Sequence, residues 1–377
     1  MKMFVFYSIV VSCLVIHSRQ AISAPPVVAA AGSAAGNVQQ PQLAIDADGV
    51  IHLVFGVGDS VQYVRSADGG KSFSKPVTLA TVRVLALGMR RGPRIATWGD
   101  SVFISVIGGK QGKGRDGDVL LFRSTDKGQR WGEPIIVNDQ ADSAREGLHA
   151  MAAGAKGRLT CVWLDLRNKS TEVFASTSTD DGESWSKNTV VYHSPNGSVC
   201  ECCHPSVIYA PDGALHVMWR NSLAGKRDMY HAVSEDGGVT YQPAQKLGNG
   251  SWSIDHCPMD GGSIAVLKDG SMTSVWRRDK TVFFLGRSNS KEVELGAGEQ
   301  PWITATNQGP VVVWLQKRKG TLLLQKKGLP KPVELAQTAS DPVIACGGVK
   351  SDVVIAAWED HGGGERRIVC QRIEPAP

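Results

Sequence analysis

The chain has 377 residues, of which 42% are hydrophobic, 20% charged and 7% aromatic, and this composition excludes a disordered or low-complexity protein. A net charge of +5 without any dense basic run excludes the electrostatic footprint of a nucleic-acid-binding protein. The 42 glycines and 18 prolines predict many short strands joined by turns and exclude long helices.

The N-terminal segment has the pattern of a secretory signal peptide. Lys2 supplies a short positive region, an apolar run follows it, and Ala21 and Ser23 are the small residues that a cleavage site before Ala24 requires. The run has about 14 apolar residues, too few to cross a bilayer. We therefore expect residues 1–23 to be removed and the mature protein to be secreted or periplasmic, monomeric and without a membrane span.

A small-residue stretch, 24–36, then predicts a flexible lead-in to one domain that covers 37–377. Self-similarity is the strongest signal in this domain, because a unit of two short apolar runs recurs at a spacing of roughly 40 to 57 residues. A third run follows each pair, and usually a fourth. The first runs begin at Pro41, Pro93, His149, Pro205, Gly262, Pro301 and Pro342, and the second runs end at Phe55, Ile107, Trp163, Trp219, Trp276, Trp314 and Trp358.

Four strands at this period are typical of a β-propeller blade. The seven units predict an all-β, seven-bladed propeller of four-stranded antiparallel blades, or six blades if one unit is spurious. The last unit shows only three clear strands. We expect Val27–Ala29 to supply its fourth strand and close the ring, which removes exposed sheet edges.

One turn recurs between the third and fourth strands, in segments 66–73, 124–131, 178–185 and 234–241. Each copy has an Asp that accepts backbone N–H bonds, a Gly suited to positive φ, and an aromatic residue that packs beneath the turn. This pattern resembles the Asp-box (BNR) repeat of the sialidase superfamily. The resemblance implies a propeller and favours a carbohydrate-active protein, whereas the boxes themselves are structural.

Sialidases use three arginines to hold a substrate carboxylate, so the resemblance directs attention to the loops that leave the second strands. Arg167, Arg220 and Arg277, with Asp165 beside the first, stand at matching places and are the candidate binders of an anionic glycan. The alternative is that these charges form structural ion pairs between blades. The first inner strand opens with Gln40-Pro41, where the family has an Arg-Ile-Pro motif.

The candidate catalytic residues depart further from the family. Its nucleophile is a late Tyr, whereas the last Tyr of this chain is Tyr241, so the retaining sialidase mechanism is in doubt. Asp255 or Asp260, activated by burial at the channel mouth, is the candidate general acid. Hydrolysis in the manner of an exo-α-sialidase and binding without catalysis both remain open.

The loops that enter the first strands carry a cluster of soft metal ligands. Thiolates and imidazoles at close spacing suit copper or zinc, which would be the protein's cofactor. Disulfides from Cys202 or Cys203 to Cys257 or Cys200 are the alternative, and a reactive thiol is a third. Seven cysteines remain after processing, an odd number that leaves at least one outside any internal disulfide. The candidate ligands are Cys200, Cys202, Cys203, His204, His256, Cys257 and His149.

Overall fold

The structure, a computed structural model, describes residues 23–112, 114–287, 291–347 and 353–374. Residues 1–22 of the predicted signal peptide lie outside this part, so export remains a prediction. Within the described residues the regular backbone is strand apart from one short 3-10 helix, Ala155–Gly157. No helix of the described chain is long and apolar enough to span a membrane. The all-β prediction is confirmed.

Five antiparallel sheets of four strands follow one another along the chain, each built from consecutive strands. Short apolar runs separated by Asp-Gly and similar turns form them, as period-2 patterning requires. The strands are β2 (Val38–Ile45), β3 (Ile51–Val57), β4 (Ser60–Ser66), β5 (Val77–Thr81); β6 (Arg94–Trp98), β7 (Ser101–Gly108), β8 (Asp118–Ser124), β9 (Ile135–Ile136); β10 (His149–Ala153), β11 (Leu159–Asp165), β12 (Glu172–Ser178), β13 (Thr189–Tyr192); β14 (Ser206–Tyr209), β15 (Leu215–Arg220), β16 (Met229–Ser234), β17 (Gln245–Lys246); β18 (Ser263–Val266), β19 (Met272–Arg278), β20 (Thr281–Leu285) and β21 (Val293–Ala297).

The sixth sheet has seven strands, in the order β1-β27-β26-β25-β24-β23-β22. Its longest strand bends from one half of the sheet to the other, pairing with β24 at one end and with β26 at the other. Seven blades remain an interpretation, in which this sheet counts as two four-stranded units that share β25. The strands are β1 (Val27–Ala31), β22 (Glu299–Thr306), β23 (Gly309–Leu315), β24 (Gly320–Lys326), β25 (Val333–Cys346), β26 (Val354–Asp360) and β27 (Arg367–Arg372).

The first strand of the described chain closes this sheet. Val27 pairs with Cys370 and Ala31 with Arg367, so β1 lies antiparallel to β27. The prediction that Val27–Ala29 completes the last unit is confirmed. The expectation that all of 24–36 is a flexible lead-in is corrected, since its central residues are hydrogen-bonded into the sheet.

Strand register decides which loops share a face. The start of β2 lies opposite the end of β3, with Val38 paired to Val57, and the start of β3 lies opposite both Ile45 and Ser66. Loops that enter first strands and loops that leave second strands therefore meet on one face, which we call the loop face. The Asp boxes, which begin at Ser66 and its counterparts, lie on the opposite face.

The Asp boxes have the predicted hydrogen bonds. In the copy at 178–185, the Asp180 carboxylate accepts bonds from the Ser178 and Ser184 hydroxyls and from the backbone N–H of Ser184. In the copy at 124–131, the guanidinium of Arg130 replaces the second hydroxyl and donates to Asp126 over 2.7 Å. These turns are structural, as expected.

The residues that end the second strands form the packing between sheets. Trp163, Trp219 and Trp314 are completely buried, and Phe55 and Trp358 nearly so. Four of these rings pack between neighbouring sheets or across the ring closure, and Trp358 packs between the two halves of the sixth sheet. Burying a large apolar side chain in this way contributes about 2 to 3 kcal/mol. The sheets are thus held in a ring that fixes the loop face, and with it the candidate sites.

Candidate functional site

Arg220 is part of the framework of the loop face. Its guanidinium is 1% exposed and donates hydrogen bonds to the backbone carbonyls of Asp260, Arg227 and Arg277. Four of the five N–H donors of this buried guanidinium bind backbone oxygens, so the group faces the protein rather than a sugar carboxylate. The expectation that Arg220 binds substrate is corrected: this side chain joins three loop segments.

Arg167 forms a local ion-pair network with the predicted Asp165. The Arg167 guanidinium donates to both carboxylate oxygens of the buried Asp165, to Asp139 and to Asn188. It also lies over the Phe174 ring, 4.3 Å from its centroid. Arg167 and Asp165 therefore form a structural ion pair, which was the alternative to substrate binding. Arg167 is committed to these partners and Arg220 to backbone carbonyls, so the described chain does not present three free guanidinium groups to a ligand.

Arg277 lines a cavity on the loop face. Its guanidinium carbon lies 5.5 Å from the centroid of the Trp252 ring, and its Nη1 donates to Glu299 over 2.9 Å. The Trp252 ring makes a second cation–π contact with Arg220, whose guanidinium carbon lies 5.2 Å from the ring centroid. The cavity has a volume of about 680 Å³ and opens to solvent; its lining includes Trp252, Ser253, Asp255, His256, Arg277 and Lys280.

The two predicted general acids occupy opposite environments. Asp260 is 1% exposed and accepts a hydrogen bond from the backbone N–H of Gln300, and burial raises its pKa. Asp255 has a fully exposed side chain, and a hydrogen bond from His256 lowers its pKa. The expectation of a general acid activated by burial is corrected for both, because Asp260 is sealed from substrate and Asp255 is not buried.

The centre of the loop face is closed by Arg90, which the sequence did not single out. Arg90 is 3% exposed, and its guanidinium donates to the carbonyl oxygens of Pro342 and Gln300 and lies over Trp302. Arg94 beneath it donates to the carbonyl of Arg90. Two buried cations thus fill the top of the channel, and the open part of the channel below is lined mainly by apolar residues from the first strands.

Glu359 forms an acid–base cluster beside this plug. Its carboxylate accepts a bond from the backbone N–H of Gln40 and one of 3.3 Å from the Ser340 hydroxyl. The same hydroxyl lies 2.7 Å from Nε2 of His361. Burial, reinforced by the nearby Asp341 carboxylate, raises the pKa of Glu359 to about 7. A carboxyl that titrates near neutral pH, connected through a hydroxyl to a half-buried imidazole, suits proton transfer.

The three cysteines of Cys200-Glu201-Cys202-Cys203 converge. Their sulfur atoms are separated by 3.7 Å (200 to 202), 3.4 Å (200 to 203) and 3.9 Å (202 to 203), and all three residues are buried. Arg227 donates to the Cys200 sulfur over 3.1 Å. Hydrogen bonds with Cys202 and Cys203, and the charges of Arg220 and Arg227, lower the pKa of Cys200. All seven cysteines in the described part of the chain are free thiols.

The other four predicted metal ligands lie elsewhere, which corrects the expected ligand set. The His204 ring stacks on Trp302 and packs against Gly261, where a Cβ atom would collide with it. His149 is buried with Nε2 3.0 Å from the Ser105 hydroxyl, and burial holds its pKa well below the usual range. Cys257 is exposed, as is His256, which pairs with Asp255. The described candidate metal group contains only the three clustered cysteines.

Comparison with known families agrees with the repeat pattern. The model of the BNR repeat-like domain family matches residues 8–200 and 96–275, overlapping ranges that together cover more than half of the chain. No curated protein matches the chain significantly.

Solved structures share the fold at low identity. An α-L-arabinanase from Penicillium chrysogenum, solved with arabinobiose, is 14% identical, with a TM-score of 0.55 over 93% of this chain and 98% of its own. A protein of unknown function from Dyadobacter fermentans is 16% identical, with a TM-score of 0.57 over 94% and 99%. The sialidase of Trypanosoma rangeli is 15% identical, with a TM-score of 0.52 over 89% of this chain and 55% of its own. The fold is therefore that of the sialidase-like propellers.

Proposed function

We propose that this chain, which belongs to the BNR repeat-like domain family, is an exported propeller that binds an anionic glycan in the cavity beside Arg277. The observation that carries the proposal is the placement of Arg277 at an open cavity. Lys280 and His256 line the same cavity, as do the carboxylates of Asp255 and Asp279. The arabinanase and the sialidase of the same fold act on carbohydrates, which supports a glycan as the ligand class.

Arg277 is held ready for a carboxylate. Trp252 packs on its guanidinium, and its Nε and Nη1 donate to the carbonyl of Asp279 and to Glu299. Among the described residues no hydrogen bond is recorded for Nη2, so this donor is available to a ligand. An arginine fixed by stacking and two hydrogen bonds loses little side-chain entropy when it binds a planar carboxylate.

The chemistry of this cavity favours binding over hydrolysis. A glycosidase needs a protonated carboxyl as its general acid, usually with a raised pKa. The pKa of Asp255 is lowered instead, by its hydrogen bond with His256, so this carboxyl is ionised at neutral pH. We therefore propose a lectin-like role for the cavity.

A matched pair of variants tests the binding site. Arg277 and Arg278 are neighbours on β19, but Arg278 is paired with Glu292 and stacked on Phe283, away from the lining residues. Isothermal titration with sialyl-, uronate- and arabino-oligosaccharides should find an acidic ligand, whose affinity falls at least about tenfold in Arg277→Ala, the cost of one charged hydrogen bond. Arg278→Ala should bind as the unmodified protein does. Equal binding by Arg277→Ala, or no acidic ligand in the panel, would refute the proposal.

Hydrolysis is the second candidate, and the pKa of Glu359 near 7 is the observation that favours it. In this case Glu359 would supply the proton through Ser340 and His361 to a sugar bound near the channel plug. Fluorogenic sialosides and arabinofuranosides provide the assay. Cleavage that disappears in Glu359→Gln would make hydrolysis the function, whereas the absence of any cleavage would leave binding alone.

The export part of the proposal rests on residues 1–23. N-terminal sequencing of the chain recovered from the periplasm or the medium should begin at Ala24. A mature chain that still begins at Met1 would refute export by this signal.

A further inference from the structure

The three clustered cysteines form a separate site that the glycan proposal does not use. A tight turn brings them together: the N–H of Cys200 donates to the carbonyl of Arg220, and the N–H of Cys203 donates to the carbonyl of Cys200. Glu201 at the tip of this turn is exposed, whereas the cysteines on either side are buried. The sequence spacing thus directs three sulfur atoms to one point inside the protein.

The size of the sulfur triangle suits a single metal ion. With edges of 3.4 to 3.9 Å, a point equidistant from the sulfurs lies about 2.1 Å from each, close to the roughly 2.3 Å of a metal–thiolate bond. An ion needs only a small displacement from the sulfur plane to reach normal bond lengths. The three thiols therefore already have the arrangement that trigonal coordination requires.

The local charge suits a monovalent ion. Three thiolates with one univalent cation carry two negative charges, and buried charge is tolerated only where it is compensated. Arg227 donates to the Cys200 sulfur over 3.1 Å. The buried Arg220 lies beside the same turn: its carbonyl accepts from the Cys200 N–H, and its Nη1 donates to the carbonyl of Arg227. Two guanidinium groups thus balance the complex.

The donor set is soft throughout. Met259 packs against the three cysteines, and thiolate and thioether sulfurs are the ligands that copper(I) prefers. The imidazoles that a mixed zinc site would use lie outside the sulfur group: His204 stacks on Trp302, and His256 pairs with the exposed Asp255. Structural zinc takes four protein ligands, whereas the described group supplies three.

We propose that Cys200, Cys202 and Cys203 bind one copper(I) ion in a buried three-thiolate site. Binding releases the thiol protons and involves no change of oxidation state when the metal is supplied as copper(I). The ion would fix the entry loop of β14 against Arg227 and Met259.

The direct test is an anaerobic titration of the reduced, full-length mature chain with copper(I), in competition with a colorimetric copper(I) chelator. We expect one equivalent to be retained by the unmodified protein, by Cys257→Ser and by Cys161→Ala, which remove an exposed and a buried cysteine outside the cluster. Cys202→Ser and Cys203→Ser should lose it. Retention of copper by both cluster variants, or preferential binding of zinc by the unmodified protein, would overturn the proposal.

A second measurement uses only the unmodified protein, in case the cluster variants do not fold. X-ray absorption of the copper(I) complex should show three sulfur neighbours at one distance. A first shell that contains nitrogen or oxygen would overturn the three-thiolate assignment.

Discussion

Arg90 donates a hydrogen bond of 2.8 Å from its guanidinium to the carbonyl oxygen of Pro342, 252 positions further along the chain. A second bond, to the carbonyl of Gln300, makes the same side chain a bridge from its own loop to strands β22 and β25. Because these acceptors are buried, each depends on Arg90 for its hydrogen bond at this position.

Arg90→Ala should therefore destabilise the ring. We expect a loss of about 2 to 5 kcal/mol, because two carbonyls lose a charged donor and a buried side chain is removed. Arg90→Lys should recover only part of this lost stability, because an ammonium group lacks the two planar NH2 groups with which the guanidinium reaches both carbonyls. Urea unfolding provides the measurement. The control is Arg83→Ala at an exposed site, which should change stability by less than about 0.5 kcal/mol. An Arg90→Ala variant as stable as this control would contradict the bridging role of Arg90.

Closure of the ring by β1 can be tested by residues on its two faces. Ala30 is buried against the core of the last sheet, whereas Val28, two positions away, is 48% exposed. Ala30→Lys should lower stability by about 2 kcal/mol or more, because it forces a charge into an apolar site. Val28→Lys should be nearly neutral. Thermal unfolding of the two variants gives the comparison, and equal effects would argue against the pairing of β1 with β27.

The raised pKa of Glu359 predicts a dependence of stability on pH. The folded chain keeps a proton on this carboxyl up to about pH 7, whereas the unfolded chain releases it near its ordinary value of 4.5. The contribution is fully present below pH 4.5 and is lost as pH rises through 7. Glu359→Gln should therefore gain stability relative to the unmodified protein between about pH 4.5 and pH 8 in urea titrations. A difference between Glu359→Gln and the unmodified protein that stays constant over this pH range would exclude the shift.

The Asp box at 178–185 predicts the opposite trend in acid. A hydrogen bond from the Ser184 hydroxyl is the main cause that lowers the pKa of Asp180 to about 2. Its contribution is complete above the ordinary pKa of 3.8 and disappears as pH falls toward 2. Asp180→Ala should cost roughly 1 kcal/mol at neutral pH, after allowance for solvent exposure. Thermal scans from neutral pH to about pH 2 should show the stability difference between Asp180→Ala and the unmodified protein disappearing. The control, Lys187→Ala at an exposed site, should be as stable as the unmodified protein throughout. A difference for Asp180→Ala that persists at low pH would contradict this role.

The repeats could be predicted because their signals are local. A run such as 51–57, a turn and the next run carry their pairing within a few residues, and the Asp180 box is bonded within its own eight residues. The residue that ends the second run is apolar in every unit, so its burial could be predicted from the pattern alone. The cysteine cluster belongs to the same class, because its three members lie within four positions.

The roles of the loop residues could not be predicted in this way. Arg220 and Arg277 occupy similar places after second strands, yet one binds backbone carbonyls and the other lines a cavity. The difference depends on Asp260 and Trp252, which come from other loops. Glu359 acquires its pKa from burial and from Asp341 on a neighbouring strand, and no spacing in the sequence reveals that combination.

The pairing of β1 with β27 places the seam of the ring inside a sheet. At this seam the Gln371 side chain donates to the carbonyl of Ala24, 347 positions away, alongside the ladder that joins the two strands. Opening the ring there requires a row of backbone hydrogen bonds to break together, whereas a seam between sheets would part by the sliding of side chains. A backbone ladder at the seam thus holds the ring closed, in addition to side-chain contacts across the loop face such as that of Arg90 with Pro342.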